Sequence, residues 1–333
     1  MKRKIVSIQY LLLLALAGLL LYFSFRGVKW TDFIEGLKGC NFYWIAASVL
    51  VGISGFVFRG LRWRLLMLPL NKEVTSREAY DGVAIAYLTN FAFPRAGEIA
   101  RCGVIAKTKK VTFEGALGTV VLERGFDMLC LLFWIFVLLL FKWNEFGGFL
   151  KDQLFAPIQE RLSSSFVWVA AGAVALVCIV CILAWIFRER LLKIGIFAKI
   201  AKLVKGLVQG LLTAFRMEHK WLFFFYTAAL WGTYWLTSYT TIHAFPTVGH
   251  LDGTDALFLM IVGGLGWVVP VQGGLGAYHF IVSLALWSIY SIPQTTGVIF
   301  ATISHESQAL AMIVCGSLSL ISISLSSKRQ KNN

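Results

Sequence analysis

Apolar residues in this chain come in long, nearly continuous runs rather than in the alternating or one-face patterns of soluble strands and helices. A bilayer core takes ~20 residues of helix to cross, and six runs are long enough: residues 5–25, 42–58, 115–141, 166–187, 221–244 and 297–325. Two further apolar segments are broken. One covers 79–107 and is interrupted at Pro94-Arg95-Ala96-Gly97-Glu98; the other covers 256–290 and is interrupted at Pro270-Val271-Gln272-Gly273-Gly274-Leu275-Gly276. Their arms hold about 13 to 17 residues each, short for a span and suited to a re-entrant arm. Broken backbone at membrane depth survives only where it is buried in protein or lines a cavity. A pair of such breaks, one in each half of a chain, points to a transporter's substrate site. The pattern predicts an all-α polytopic membrane protein with about six spanning helices and two Pro/Gly-broken re-entrant hairpins in an inverted repeat. It forms a single integral membrane domain over 1–333, with halves of about 1–165 and 166–327.

Composition agrees. Of the 333 residues, 58% are hydrophobic and only 14% charged, where a soluble chain carries about 25% charge. Mean hydropathy is +0.74. The net charge of +14 does not indicate nucleic acid, because the basic residues bunch in loops at 59–64, 107–110 and 188–205. That is the positive-inside distribution, and anionic lipid of the cytoplasmic leaflet is its natural surface partner. Lys2, Arg3 and Lys4 at one end and Lys328, Arg329 and Lys331 at the other place both termini in the cytoplasm. Six spans satisfy both ends. The basic stretches 59–77 and 188–220 then fall inside, while 142–161 and 246–255 fall outside. On this scheme the first hairpin enters from the cytoplasm and the second from the opposite side.

Three local signals have a plain reading. Residues 2–25 show the charge order of a signal peptide, but the apolar run is long and Phe23-Ser24-Phe25-Arg26 is a poor cleavage site, so a retained span is expected. Lys199, Lys202 and Lys205 recur every third residue among apolar positions, which makes 188–220 a basic amphipathic segment suited to the membrane surface. Cys178 and Cys181 have CxxC spacing within a span, where cysteine behaves as a small hydrophobe.

Charge inside apolar segments costs about 2.5–3.5 kcal/mol per residue on insertion scales and calls for a partner or a wet cavity. Three clusters stand out. In Arg95, Glu98 and Arg101, Pro94 suits a helix start, Glu98 suits that helix's N-terminus, and Glu98 and Arg101 pair at i, i+3. Capping leaves Arg95 unexplained, and a guanidinium at a backbone break suits bidentate phosphate recognition. In the second cluster, Glu123 and Asp127 share a face and Arg124 approaches Asp127; the triad is either a structural staple or a partner for Arg95 or Arg101. The third comprises Gln272, Tyr278 and His279 after the second break, with His305, Glu306 and Gln308 in the last span. These residue types fit a polar cavity lining, a proton-linked His305–Glu306 pair or a zinc site, but no metal-ligand spacing is present. No catalytic residue, metal or cofactor is expected. Gly263-Gly264-Leu265-Gly266 and Gly273-Gly274-Leu275-Gly276 are near-copies; glycine permits tight turns, and exposed N–H groups at such a tip form an anion-binding concavity, while small residues also serve plain helix packing.

Taken together, Asn90–Arg101, Leu122-Glu123-Arg124-Gly125-Phe126-Asp127 and Pro270–Gly276 resemble the flippase-like family, also called the lysylphosphatidylglycerol synthase transmembrane region. The resemblance covers essentially the whole chain. It implies a bacterial inner-membrane protein with re-entrant helices, similar to the part of the two-domain synthases that moves an aminoacylated phospholipid between leaflets. A stand-alone membrane domain without the aminoacyl-transferase is expected, since the sequence ends at Asn333. Relatives often carry an acidic residue soon after the last glycine, whereas His279 stands here, so a simple acidic headgroup partner is not expected at the second break.

The function expected is a lipid flippase or lipid-handling transporter. It would move a polar-headgroup lipid (aminoacylated, glycosylated or isoprenoid-type) without ATPase machinery, since no Walker-type motif is present. The residues expected at the headgroup are Pro94, Arg95, Gly97, Glu98, Arg101, Glu123, Arg124, Asp127, Pro270, Gln272, Gly273, Gly274, Gly276, Tyr278, His279, His305 and Glu306. The partner is a membrane phospholipid or glycolipid. Two other readings stand beside this one: a membrane-embedded lipid-linked transferase, with Asp252 and Asp255 as the one external acidic pair, and a non-transporting scaffold for a lipid-modifying enzyme.

Overall fold

The computed structural model describes residues 2–143 and 218–332, with side chains for 12–143 and 218–325. These residues form helices and a single 3-10 turn, with no strand among them. In chain order the helices are α1 (Lys2–Phe25), α2 (Trp30–Lys38), α3 (Phe42–Met67), α4 (Ser76–Ala92), α5 (Gly97–Ala106), α6 (Phe113–Phe141), α7 (Lys220–His243), α8 (Gly253–Val268), α9 (Ala277–Tyr290) and α10 (Gln294–Asn332), with the 3-10 turn Gln272–Gly274 between α8 and α9. The segment 166–187, the basic segment 188–220 up to 217, and Cys178 and Cys181 lie outside the described residues.

Three helices, α3, α6 and α10, are long and apolar enough to cross a membrane, or four if α1 and α2, bent by 82°, count as one broken span. The protein is a multi-pass membrane protein. Its outer surface is apolar along α6, where Met128, Leu132, Phe136 and Leu140 are all more than half exposed, a pattern costly in water and natural against lipid.

Helix starts follow local chemistry. Asn41 caps α3 by accepting from the Tyr43 N–H at 3.1 Å. Thr75 and Glu78 form a capping box on α4, with bonds of 3.2 and 2.8 Å. Asp252 and Asp255 form another on α8, both bonds 2.9 Å, and Asp255 also accepts from the Tyr290 hydroxyl at 2.9 Å. The acidic pair that the transferase reading relied on is therefore engaged in satisfying helix-end N–H groups.

Both broken segments are hairpins whose arms pack on each other. In the first, a Cβ on Gly82 of α4 would meet Trp63 at 2.7 Å and Arg101 of α5 at 3.7 Å. In the second, Gly266 of α8 lies under the α9 backbone, where a Cβ would come within 2.7 Å of the Tyr278 Cα. The arms of the first hairpin are 17 and 10 residues long, so α5 is shorter than predicted because residues 93–96 form the turn. Pro94 lies in that turn and does not begin a helix; α5 starts at Gly97 behind Ala96.

Helices from both ends of the sequence share one packed unit, 1–141 with 218–333. Ser48 of α3 meets Thr241 of α7 at 3.0 Å, and Gln308 of α10 donates to the Ser48 carbonyl at 3.2 Å. An apolar core of Trp63, Met67, Val83, Cys102, Ile105 and Val120 lies between α3, α4, α5 and α6. Arg59 and Arg62 lie inside this unit on α3, at 6% and 0% exposure, rather than in the basic loop expected at 59–64. Continuing α3 to Met67 turns both guanidiniums inward.

Candidate functional site

The two backbone breaks meet. Arg95 holds a left-handed conformation, φ 65°, which a non-glycine residue keeps only when its surroundings impose it. Its Nη2 donates to the carbonyl oxygen of Val268, the last residue of α8. From the second break, Gly273 (φ +55) presses on Phe91, where a Cβ would lie 2.7 Å from the ring. Gly276 (φ +79) has no room for a Cβ against the Ala17 carbonyl of α1, so this turn demands glycine both for its backbone angle and for its space. Gly97 closes the first break by donating to Asn90 Oδ1 at 2.7 Å.

Behind the first break lies a buried ionic cluster. Glu123, fully buried on α6, is 2.8 Å from Arg59, 3.3 Å from Arg62 and 2.7 Å from Arg101. Asp127, one turn on, lies 3.1 Å from Arg59 and 2.7 Å from Arg62. Arg59 also donates to the Tyr87 and Tyr234 hydroxyls at 2.9 and 3.2 Å. The Arg101 guanidinium lies 4.8 Å over the Trp63 ring, and Trp63 is fixed by donating to Thr119 at 2.9 Å. The inner cluster thus sets three guanidiniums, Arg59, Arg62 and Arg101, against two carboxylates, a surplus of one positive charge. Arg62 Nε and Nη1 and Arg101 Nη2 are buried with no hydrogen-bond partner. Arg124 and Glu98 form a half-exposed outer pair at 3.8 Å. A narrow cleft lined by Arg59, Tyr87, Asn90, Glu98, Arg101 and Arg124 opens onto this charge.

Several sequence expectations change here. The Glu98–Arg101 pair is replaced by Glu98–Arg124 and Arg101–Glu123, because α5 turns Arg101 into the core and leaves Glu98 at its rim. The triad Glu123, Arg124 and Asp127 does take Arg101 as partner, whereas Arg95 reaches across to the second break. Arg59, Arg62, Tyr87 and Tyr234 were not among the predicted site residues. The signal for the arginines was present: two carboxylates inside an apolar span demand cations, and Arg59 and Arg62 stand at i, i+3 near the end of a neighbouring helix.

At the second break, Pro270 lies in the bend before the 3-10 turn. Gln272, Gly273 and Gly274 are buried, and the Gly274 and Leu275 N–H groups donate within the turn, to Val271 and Gln272. The exposed N–H cradle expected at this tip is therefore absent among the described residues. The near-copy Gly263-Gly264-Leu265-Gly266 is helical instead, its first and last glycines making room for Tyr278. His279 and His305 are neighbours, ring centroids 5.0 Å apart. Glu306 lies 2.9 Å from His305 and 3.7 Å from His279. Tyr278 bonds to Ser304 at 2.8 Å. The His305 ring stacks on Trp267 at 4.8 Å and its Nε2 lies 2.8 Å from the Gly273 carbonyl.

The structure thus places the predicted residues in two groups, an arginine–carboxylate cluster behind the first break and a histidine group behind the second, joined by the Arg95–Val268 and Phe91–Gly273 contacts. No curated protein and no solved structure gives a significant match to the chain. The family model for the lysylphosphatidylglycerol synthase TM region matches residues 10–316, a stretch that contains both breaks and both groups. The chain belongs to that family.

Proposed function

We propose that this protein moves a lipid with an anionic, phosphate-bearing headgroup between membrane leaflets, the tails staying in hydrocarbon while the headgroup passes the paired breaks. The observation that carries the reading is the arginine surplus: three buried guanidiniums face two carboxylates, and Nη2 of Arg101, which lines the cleft, lacks an acceptor. Buried cationic N–H groups without partners are costly, and a phosphate supplies both the missing charge and the missing acceptors. Membership of a family named for the membrane part of a lipid-modifying protein supports a lipid as the ligand. The cleft is too narrow for a headgroup as it stands, so passage requires the breaks to separate, and Arg95 and Phe91 are the contacts that would part. The bacterial inner membrane, with both termini cytoplasmic and the two hairpins entering from opposite sides, is the proposed setting.

The test is leaflet exchange of a fluorescent phospholipid in vesicles holding the purified protein. Arg95 is exposed and Glu98 half-exposed, so Arg95→Ala and Glu98→Ala should fold, as size-exclusion profiles would confirm. Exchange should fall to the protein-free rate in both. Wild-type rates in both variants would remove these residues from the path.

A further inference from the structure

Behind the second break, both ring nitrogens of His305 are engaged. Nε2 lies 2.8 Å from the Gly273 carbonyl oxygen. A carbonyl only accepts, so Nε2 carries hydrogen, an assignment made from the partner it faces. In a neutral imidazole that leaves a lone pair on Nδ1. Nδ1, however, lies 2.9 Å from Glu306 Oε1, and an ionised carboxylate also only accepts. Two lone pairs facing at that distance repel unless a hydrogen lies between them.

We propose that His305 and Glu306 form a proton-binding site, an imidazolium–carboxylate pair whose extra proton latches the glycine-rich turn of the second break to α10. A proton leaves the pair neutral, which suits its surroundings: Trp267 stacks at 4.8 Å, Tyr278 lies at 5.4 Å, and the His305 side chain is sealed. A divalent cation shared by two neutral imidazoles and one carboxylate would leave a net positive charge there instead. The other imidazole near Glu306 is His279, at 3.7 Å. The other titratable group against the pair is Tyr278, whose hydroxyl is held by Ser304 at 2.8 Å; Phe25 of α1 meets His279 with an apolar ring.

The site has an exit. The Glu306 side chain is 46% exposed while those of both histidines are buried. The proton passes from Nδ1 to Oε1, breaking an N–H bond and forming an O–H bond, and then leaves to water. The two lone pairs that remain repel, and either Glu306 swings out or the His305 ring turns and releases the Gly273 carbonyl. Gly273 packs on Phe91 of the first break, so proton loss loosens the junction between the breaks. This last step, proton-dependent lipid passage, rests on the function proposed above; the proton site does not.

The experiment is nitrogen NMR of the full-length chain, labelled with 15N-histidine and held in lipid nanodiscs, with His305→Gln used to assign the signal. At neutral pH the wild type should show both His305 nitrogens protonated, titrating to the neutral form as pH rises. In Glu306→Gln the amide can donate to Nδ1, so His305 should be neutral with hydrogen on Nε2 and lose its titration. A neutral His305 at neutral pH in the wild type would overturn the proposal. So would about one tightly bound divalent metal per chain by elemental analysis with metal-shifted imidazole signals. The wild-type spectrum decides even if the variant does not fold. In vesicles, wild-type lipid exchange should follow the His305 titration and Glu306→Gln exchange should be independent of pH. A protonated His305 with no lipid exchange at any pH would retain the proton site and discard the lipid reading; lipid exchange with a neutral His305 would do the reverse.

Discussion

Removing Glu123 is the sharpest perturbation of the ionic cluster. Its carboxylate is fully buried and within 3.3 Å of three guanidiniums. Glu123→Ala leaves Arg59 and Arg62 with Asp127 and takes the carboxylate from Arg101, which raises the cluster's surplus from one positive charge to two. Taking one partner from a buried ionic group costs about 3–5 kcal/mol, chiefly because the remaining charge stays desolvated. The variant should therefore unfold well below the wild type in detergent, followed by loss of the monodisperse peak on heating. Arg101→Met in the same chain restores the charge balance: Arg59 and Arg62 then face Asp127, again a surplus of one. The double variant should be more stable than the sum of the single losses by about 1–3 kcal/mol, the coupling range for residues in one charge network. Some loss must persist, since Arg101 also stacks on Trp63. A cost below about 1 kcal/mol for Glu123→Ala, or additivity of the two changes, would refute the reasoning that these arginines share Glu123 as their common counter-ion.

Two further changes test the packing. Gly60→Ala would place a Cβ 2.9 Å from the Tyr80 Cα, backbone against helix, whereas Gly103 has nothing within 4 Å; the first should cost about 1–3 kcal/mol through overpacking and the second should be neutral or stabilising by about 0.5–1 kcal/mol through helix propensity, both read by thermal unfolding. Asp252→Ala should lower stability by about 0.5–2 kcal/mol, the value of an N-cap, and leave lipid exchange at the wild-type rate; loss of a lipid product or of exchange in a protein of unchanged stability would restore a chemical role to the acidic pair.

How far the sequence reached depended on whether a signal was local. The apolar runs and the two breaks are local, and the helices follow them to within a few residues at most ends. Helix α2, which no apolar run announced, and the end of α3 are exceptions: Arg59, Arg62 and Arg64 look like the start of a basic loop until it is known that a carboxylate pair on α6 waits for two of them. Partner choice was the least legible part. Glu98 and Arg101 have ideal spacing for a helical pair, yet the hairpin sends one to the rim and one to the core. Burial, not spacing, decides who pairs, and burial follows from tertiary packing. The same holds for the two Gly-Gly-Leu-Gly copies. The second follows Pro270 and Gln272 and becomes a turn; the first lies within an uninterrupted apolar run, so it continues a helix and its glycines serve as a seat for Tyr278.

If the two breaks form one site, they must part for a lipid to pass. Cysteines introduced at positions 95 and 268, in a chain whose native cysteines are replaced by serine or alanine, would test it through a reducible bifunctional cross-linker, with lipid exchange measured before and after reduction. Cross-linking should form readily within one chain, stop exchange, and be reversed by reduction. Exchange at the unlinked rate while the breaks are tied, or failure of the cross-link to form at all, would contradict it.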